Sequence, residues 1–188
     1  MSDVLWRRLR YMLTPQWDIY NSIAPHLGGC DVLEIGCGTG IGTLQLAMYA
    51  NTIIAVDIDD DAVKFAGAVL PNRKISWWRG DILDAARVPL GNKGAAVAIE
   101  VLEHIPEWEK ALTNIRAALH PGGKLYISAR NRNADLRRND LHEREWTAAE
   151  FRAALAEFFP SVTLYDYTLE AEQGDDSRVT PLVAVAVK

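Results

Sequence analysis

Two groups of residues have spacings with chemical meaning, and the first is Glu34-Ile35-Gly36-Cys37-Gly38-Thr39-Gly40-Ile41-Gly42. It ends a β-branched run and opens a helical pattern, and its glycines let a ligand approach backbone that side chains would otherwise shield. The spacing is G-x-G-x-G, not the G-x-G-x-x-G that seats a pyrophosphate on a helix N-terminus. A leading carboxylate, Glu34, would repel a pyrophosphate but suits a ligand carrying an ammonium and a sulfonium. Two more acids follow in step. Asp57 ends the next run, with Ile58 beside it, where a carboxylate at a crevice mouth accepts bonds from both hydroxyls of a ribose. Gly80-Asp81-Ile82 follows the third run, placing an acceptor for an adenine amino group at the same edge. Asp57 has an alternative use as a helix N-cap, for which Asp59 and Asp60 compete.

The second group is titratable. Histidine changes charge near neutral pH, and the chain has four: His26, His104, His120 and His142. His120 precedes Pro121-Gly122 at a predicted helix end, where an imidazolium favours the helix dipole, so it reads as structural. His26 lies in a turn beside Pro25. His104 follows the fourth strand and His142 falls in a long polar loop over the same edge, so these two form the expected catalytic pair, as proton acceptors. Otherwise His104 is a helix cap and His142 is solvated. Glu100, Glu103 and His104 stand at i, i+3 and i+4, which one helical turn presents on a single face, and His142 is a fourth donor for a metal.

The elements that must position these residues alternate. β-Branched runs at 32–35, 52–56, 74–78, 95–99 and 124–128 are separated by helical patterns at 41–50, 59–70 and 107–119. Apolar strands in strand-helix-strand order predict a mostly parallel sheet covered on both faces, the α/β class. A helix at 147–157 and strands within 162–169 and 179–187 close the sheet with a C-terminal β-hairpin. Thr14-Pro15 reads as an N-cap and first helical residue of a lead-in helix through Trp17 and Tyr20. The expected layout is one domain over 1–188: a helical lead-in at 1–29, a ligand-binding core at 30–129, and a lid loop, helix and hairpin at 130–188.

Composition bounds the function. The 188 residues suit one domain, and an apolar content of 49% is enough to bury a core. The formal charge of −5 has the wrong sign for holding duplex nucleic acid across a wide face. Cys30 and Cys37 form neither a disulfide framework nor a zinc knuckle, which fits a reducing cytoplasm. Residues 1–13 mix Trp6 and Leu9 with Arg7, Arg8 and Arg10 and read as an amphipathic helix packed on the domain, with no membrane span expected. In the loop 130–145, five arginines face four acids. Arg130 and Arg132 either hold an anionic group on a substrate by forked bonds or, as the preferred reading, pair internally in a surface lid. Trp77 and Trp78 alternate on their strand and both read as packing residues, with one available to flank an adenine.

These motifs resemble the class I S-adenosylmethionine-dependent methyltransferases over nearly the whole chain. The resemblance rests on the E-x-G-x-G-x-G loop at 34–40, the acid at Asp57, Gly80-Asp81-Ile82, and Glu100-Val101-Leu102-Glu103-His104-Ile105 followed by Pro121-Gly122-Gly123. It implies a Rossmann-like, doubly wound, seven-stranded and mostly parallel sheet with S-adenosylmethionine bound across the carboxyl ends of the first strands. The implied cofactor residues are Glu34, Gly36, Cys37, Gly38, Gly40, Asp57, Ile58, Asp81, Ile82 and Glu100. The implied reaction is methyl transfer to an oxygen or nitrogen of a small molecule, with His104 or His142 as base. A chain that keeps the cofactor pocket without catalysis, as a scaffold, is a further alternative.

A second, local resemblance is to the RNA 3'-terminal 2'-O-methyltransferases, through E-x-x-E-H at 100–104 and His142-Glu143-Arg144-Glu145-Trp146-Thr147. It implies that Glu100, Glu103, His104 and His142 bind a divalent metal and that the acceptor is an RNA end. The acidic charge and the short chain depart from that pattern, so the expected site is metal-free and the metal set is the alternative.

Overall fold

The computed structural model describes residues 15–89, 91–134 and 142–188. The expectations for residues 1–13, for Thr14 as a cap and for Arg137 and Arg138 lie outside the described residues.

The lead-in helix α1 (Pro15–Ile23) continues into a 3-10 turn (Ala24–Leu27). There follow β1 (Asp31–Ile35), α2 (Ile41–Ala47), β2 (Thr52–Asp57), α3 (Asp60–Val69), β3 (Ile75–Arg79), β4 (Lys93–Ile99), α4 (Trp108–Ala118) and β5 (Leu119–Ala129). The chain closes with α5 (Ala148–Ala156), β6 (Ser161–Tyr165) and β7 (Leu182–Val187). The seven strands form one sheet in the order β3-β2-β1-β4-β5-β7-β6. Strands β1 to β5 pair in parallel, while β7 runs antiparallel to both β5 and β6. The expected doubly wound sheet with a closing hairpin is therefore the observed one.

Period-two alternation sends each strand's side chains to two cores. On one face Val32, Ile53, Ala55 and Val97 pack with Ile19, Tyr20 and Ile23 of α1 and Leu46 of α2. On the other, Leu33, Ile35, Ala96 and Leu125 pack with Leu112 and Ile115 of α4 and Phe151 and Leu155 of α5. Burying a side chain such as Phe151 completely contributes ~1.5–3 kcal/mol before entropy is counted. Helix starts follow local chemistry. Asp59 caps α3 by accepting from the amides of Asp61 and Ala62, and Thr147 with Glu150 forms a reciprocal capping box at α5.

The strand order reverses between β1 and β4. That switch point opens a crevice beyond their carboxyl ends, flanked by Gly36 after β1 and Glu100 after β4.

Candidate active site

The glycine loop turns out of β1 under Val56, whose carbonyl accepts from the amides of Gly36 and Cys37 at 2.8 and 3.1 Å. Gly38 has a φ of 51°, and no described residue lies within 4 Å of where its Cβ would stand, so among the described residues this turn presents bare backbone. Gly40, with a φ of 83°, is glycine for a different reason: a Cβ there would collide with the Trp77 ring. Trp77 thus backs the loop from within, as a packing residue. Trp78, expected to pack in the core, does not: it is 43% exposed on the edge strand and its Nε1 donates to the Arg87 carbonyl.

The acids converge on one edge. Asp57 Oδ2 accepts from the Gly38 amide at 2.7 Å and Oδ1 from the Asp59 amide at 2.9 Å. Since Asp59 caps α3, Asp57 stays at the crevice mouth. Gly36, Asp57, Ile58, Asp81, Ile82, Glu100 and His104 all line one cleft of 400 Å³. Asp81 Oδ1 accepts from the Leu83 amide at 2.8 Å, which fixes the carboxylate beside the buried Ile82. Ile58 is 64% exposed at the rim.

A smaller cavity of 120 Å³ adjoins at Gly36 and is lined by Cys37, Gly38, Gly40 and Tyr20. Glu34 lies buried beneath it, and the Tyr20 hydroxyl, reaching across from α1, donates to its Oε1 at 2.8 Å. Burial pushes the Glu34 carboxyl up to about 7 against the lowering effect of that hydrogen bond, and the charge on Asp57 raises it further. Burial likewise raises the Cys37 thiol, which makes it inert packing.

Past β4 the chain departs from the expected helical turn. Glu100 has a left-handed φ of 54°, and the short 3-10 helix runs only over Leu102–His104, so Glu100 does not share a helical face with Glu103 and His104. Ser128 holds the strained residue: its Oγ accepts from the Glu100 amide at 2.9 Å and donates to Glu100 Oε1 at 3.0 Å. Burial raises the Glu100 carboxyl, opposed by Ser128.

Glu103 is fully buried, not solvated, and neither carboxylate oxygen has a hydrogen-bond partner among the described residues. Burial first, and the neighbouring Glu100 second, raise its pKa. His104 is exposed on the cleft wall, whereas His142 is buried, and their rings meet edge to face with centroids 4.9 Å apart. Donor atoms of Glu103, His104 and His142 all lie within 4.8 Å of one another. Burial lowers the His142 pKa, so its imidazole is neutral at pH 7, where it can accept a proton.

The two arginines nearest β5 are paired: Arg130 Nε lies 3.4 Å from Glu145 Oε1, and Arg132 Nη2 lies 2.6 Å from Glu150 Oε1. His26 and His120 stay away from the cleft, His26 stacking near Tyr126 and His120 bonding to the Pro121 carbonyl. Sequence reasoning missed Glu145 and Ser128. It also missed the hydrogen bond that brings Tyr20 to Glu34, for which helical periodicity from Ile19 to Ile23 was the available signal.

A doubly wound seven-stranded sheet with a glycine loop and two acids at the switch point defines the class I S-adenosylmethionine-dependent methyltransferase architecture. Residues 33–127 match the family model described as a methyltransferase domain, and the chain belongs to that family. It is 31% identical over 144 residues to a probable S-adenosylmethionine-dependent methyltransferase of Mycolicibacterium smegmatis, covering 73% of this chain and 54% of that protein. It is 30% identical over 115 residues to a ubiquinone biosynthesis O-methyltransferase of Xanthomonas oryzae pv. oryzae, covering 60% of this chain and 48% of that one. The chain therefore spans about half the length of these relatives. Among solved structures, the methyltransferase domain of bacterial CtHen1-CN superposes with a TM-score of 0.70 at 20% identity, over 93% of this chain and 99% of that one, a likeness of fold.

Proposed function

We propose that this protein transfers a methyl group from S-adenosylmethionine to an oxygen or nitrogen of a small-molecule acceptor. The observation that carries the reading is convergence: Gly36 of the glycine loop, Asp57, Asp81 and His104 all line one cleft, and the smaller cavity under Gly38 adjoins it at Gly36. The residues fit the cofactor. Asp57 retains lone pairs for ribose hydroxyls, Asp81 with Ile82 offers an acceptor and an apolar wall for an adenine, and exposed Ile58 gains cover from a planar ring. Glu34 under the smaller cavity suits an ammonium group, with Cys37 and Gly40 shaping the loop around it and Glu100 bounding the other side. When bound, S-adenosylmethionine supplies a methyl group already activated by a sulfonium.

The chain itself has to hold the acceptor in line, exclude water and take a proton. His104 stands on the cleft wall and neutral His142 behind it, and we assign the proton to this pair. The relative that acts as an O-methyltransferase supports an oxygen acceptor. Incubation with cofactor labelled in its methyl group and a pool of hydroxylated and amino metabolites tests the reading. A labelled product that is lost in His142→Ala supports it. Tight cofactor binding with no product across the pool, and a copurifying methyltransferase, would favour a scaffold instead.

One observation favours a second reading. Buried Glu103, with no hydrogen-bond partner for either oxygen among the described residues, sits against His104 and His142 at metal-ligand spacing. Glu103, His104 and His142, with Glu100 as a fourth donor, would hold a divalent ion, and the acceptor would be an RNA end. Metal analysis of protein purified without chelator, with Glu103→Ala as the control, separates the two. Full activity of chelator-treated, metal-free protein excludes the second.

A further inference from the structure

The segment carrying His142 is tied by its backbone to the exit of β4. The amides of Glu143 and Arg144 donate to the Glu103 carbonyl at 2.9 and 3.3 Å. Glu145, in the same segment, is thereby brought under the imidazole: its Oε1 lies 3.0 Å from His142 Nδ1 and 3.4 Å from Arg130 Nε. The three side chains are largely withdrawn from water, at 6% exposure for His142, 10% for Glu145 and 19% for Arg130. Arg130 follows β5 directly, so its backbone is anchored to the sheet and its guanidinium pairs with the Glu145 carboxylate from there.

We propose that Arg130 and Glu145 are positioning residues that hold His142 with its proton on Nδ1 and its lone pair on Nε2. The inference rests on the reading of His142 as a proton acceptor for the methyl acceptor. An ionised carboxylate only accepts, so a neutral imidazole with Nδ1 at 3.0 Å from it must donate from that nitrogen. One proton is then accounted for, and the accepting lone pair belongs to Nε2. A base oriented by a third group in this way is a recurring arrangement in proton transfer, because the carboxylate selects the tautomer and also favours the imidazolium formed when the base takes its proton. Arg132 does not substitute for Arg130, since it is committed to Glu150. The arrangement also explains why a half-buried acid and a half-buried arginine stand side by side outside the lining of the cleft.

The test is nitrogen NMR of the full chain labelled with ¹⁵N-histidine, held at a pH where His142 is neutral and assigned by the loss of its signals in His142→Ala. Wild-type protein is expected to show a protonated Nδ1 and an unprotonated Nε2. Glu145→Leu, which removes the acceptor, is expected to move the population toward the Nε2–H form and to lower kcat at least tenfold with the cofactor KM within twofold. Glu145→Gln keeps an acceptor oxygen under Arg130 and is expected to retain the wild-type tautomer with intermediate kcat. A proton on Nε2 in the wild type overturns the proposal without any variant, as does an unchanged tautomer in folded Glu145→Leu. Full turnover in His142→Ala would instead defeat the reading of His142 as base, while the tautomer spectra still decide whether Glu145 orients the ring.

Discussion

The Gly38 amide donates to Asp57 Oδ2 at 2.7 Å, so the glycine loop after β1 hangs on the acid that ends β2. The ligand cradle is therefore set before any ligand arrives, and Asp57 both supports the loop and faces the cleft. Asp57→Ala is expected to remove a charge-assisted bond worth about 1.5–3 kcal/mol to the loop and a ribose contact besides. Titration calorimetry with the demethylated cofactor should show binding weakened by roughly 30-fold or more.

Glu34 predicts a pH dependence. Its folded-state pKa of about 7 lies above the ordinary 4.5, so the protonated form favours the fold, and that contribution is lost as pH rises from 4.5 through 7. The free protein should accordingly be more resistant to urea at pH 5 than at pH 8, and Glu34→Gln should reduce the difference, the remainder belonging to the raised carboxyls of Glu100 and Glu103.

An ammonium group brought close to Glu34 favours its ionised form. Cofactor binding near pH 6 is then expected to release up to one proton, read by calorimetry in two buffers of different ionisation heat. Release that persists unchanged in Glu34→Gln would assign the proton elsewhere.

Gly38 and Gly40, two of the four glycines of the loop, should separate stability from binding. Gly40→Ala forces a methyl group into the Trp77 ring at a left-handed φ and is expected to cost about 2–4 kcal/mol in denaturant titration. Gly38→Ala meets no neighbour within 4 Å among the described residues and should cost only about 1–2 kcal/mol, from the φ alone, while blocking the ligand's approach. Equal stability losses in the two variants would show that the loop packs differently.

Much of this fold was legible because apolar alternation and helix signals are local. Strand expectations at 32–35 and 52–56 lie within one residue of β1 and β2, and the lead-in helix expected through Trp17 and Tyr20 is α1. The sixth strand stops at Tyr165, short of 169, since Asp166 turns the chain by accepting from Thr168. The ligand-facing acids were readable from their places at strand ends, and the competition for the α3 cap resolved in favour of Asp59. What was hidden depends on tertiary contact. The positive φ of Glu100 exists because Ser128, 28 residues away, holds both its amide and its carboxylate. The i, i+3, i+4 spacing assumed a continuous helix through Glu100 and so missed that Glu103 turns inward. Tyr20 on Glu34 is a pairing of helix with strand that no spacing encodes, and Glu145 meets His142 three residues away in a segment with no helix to fix that contact.

The central claim is that the cofactor lies across the carboxyl ends of β1 and β2. A crystal structure with the demethylated cofactor measures this most directly. Ribose hydroxyls within hydrogen-bond distance of Asp57, the base against Asp81 and Ile82, and the sulfur facing the His104 wall are the predicted result. A ligand found instead in the separate 640 Å³ cavity beside Trp108 and Arg144, with the 400 Å³ cleft closed by the chain's own side chains, would contradict it.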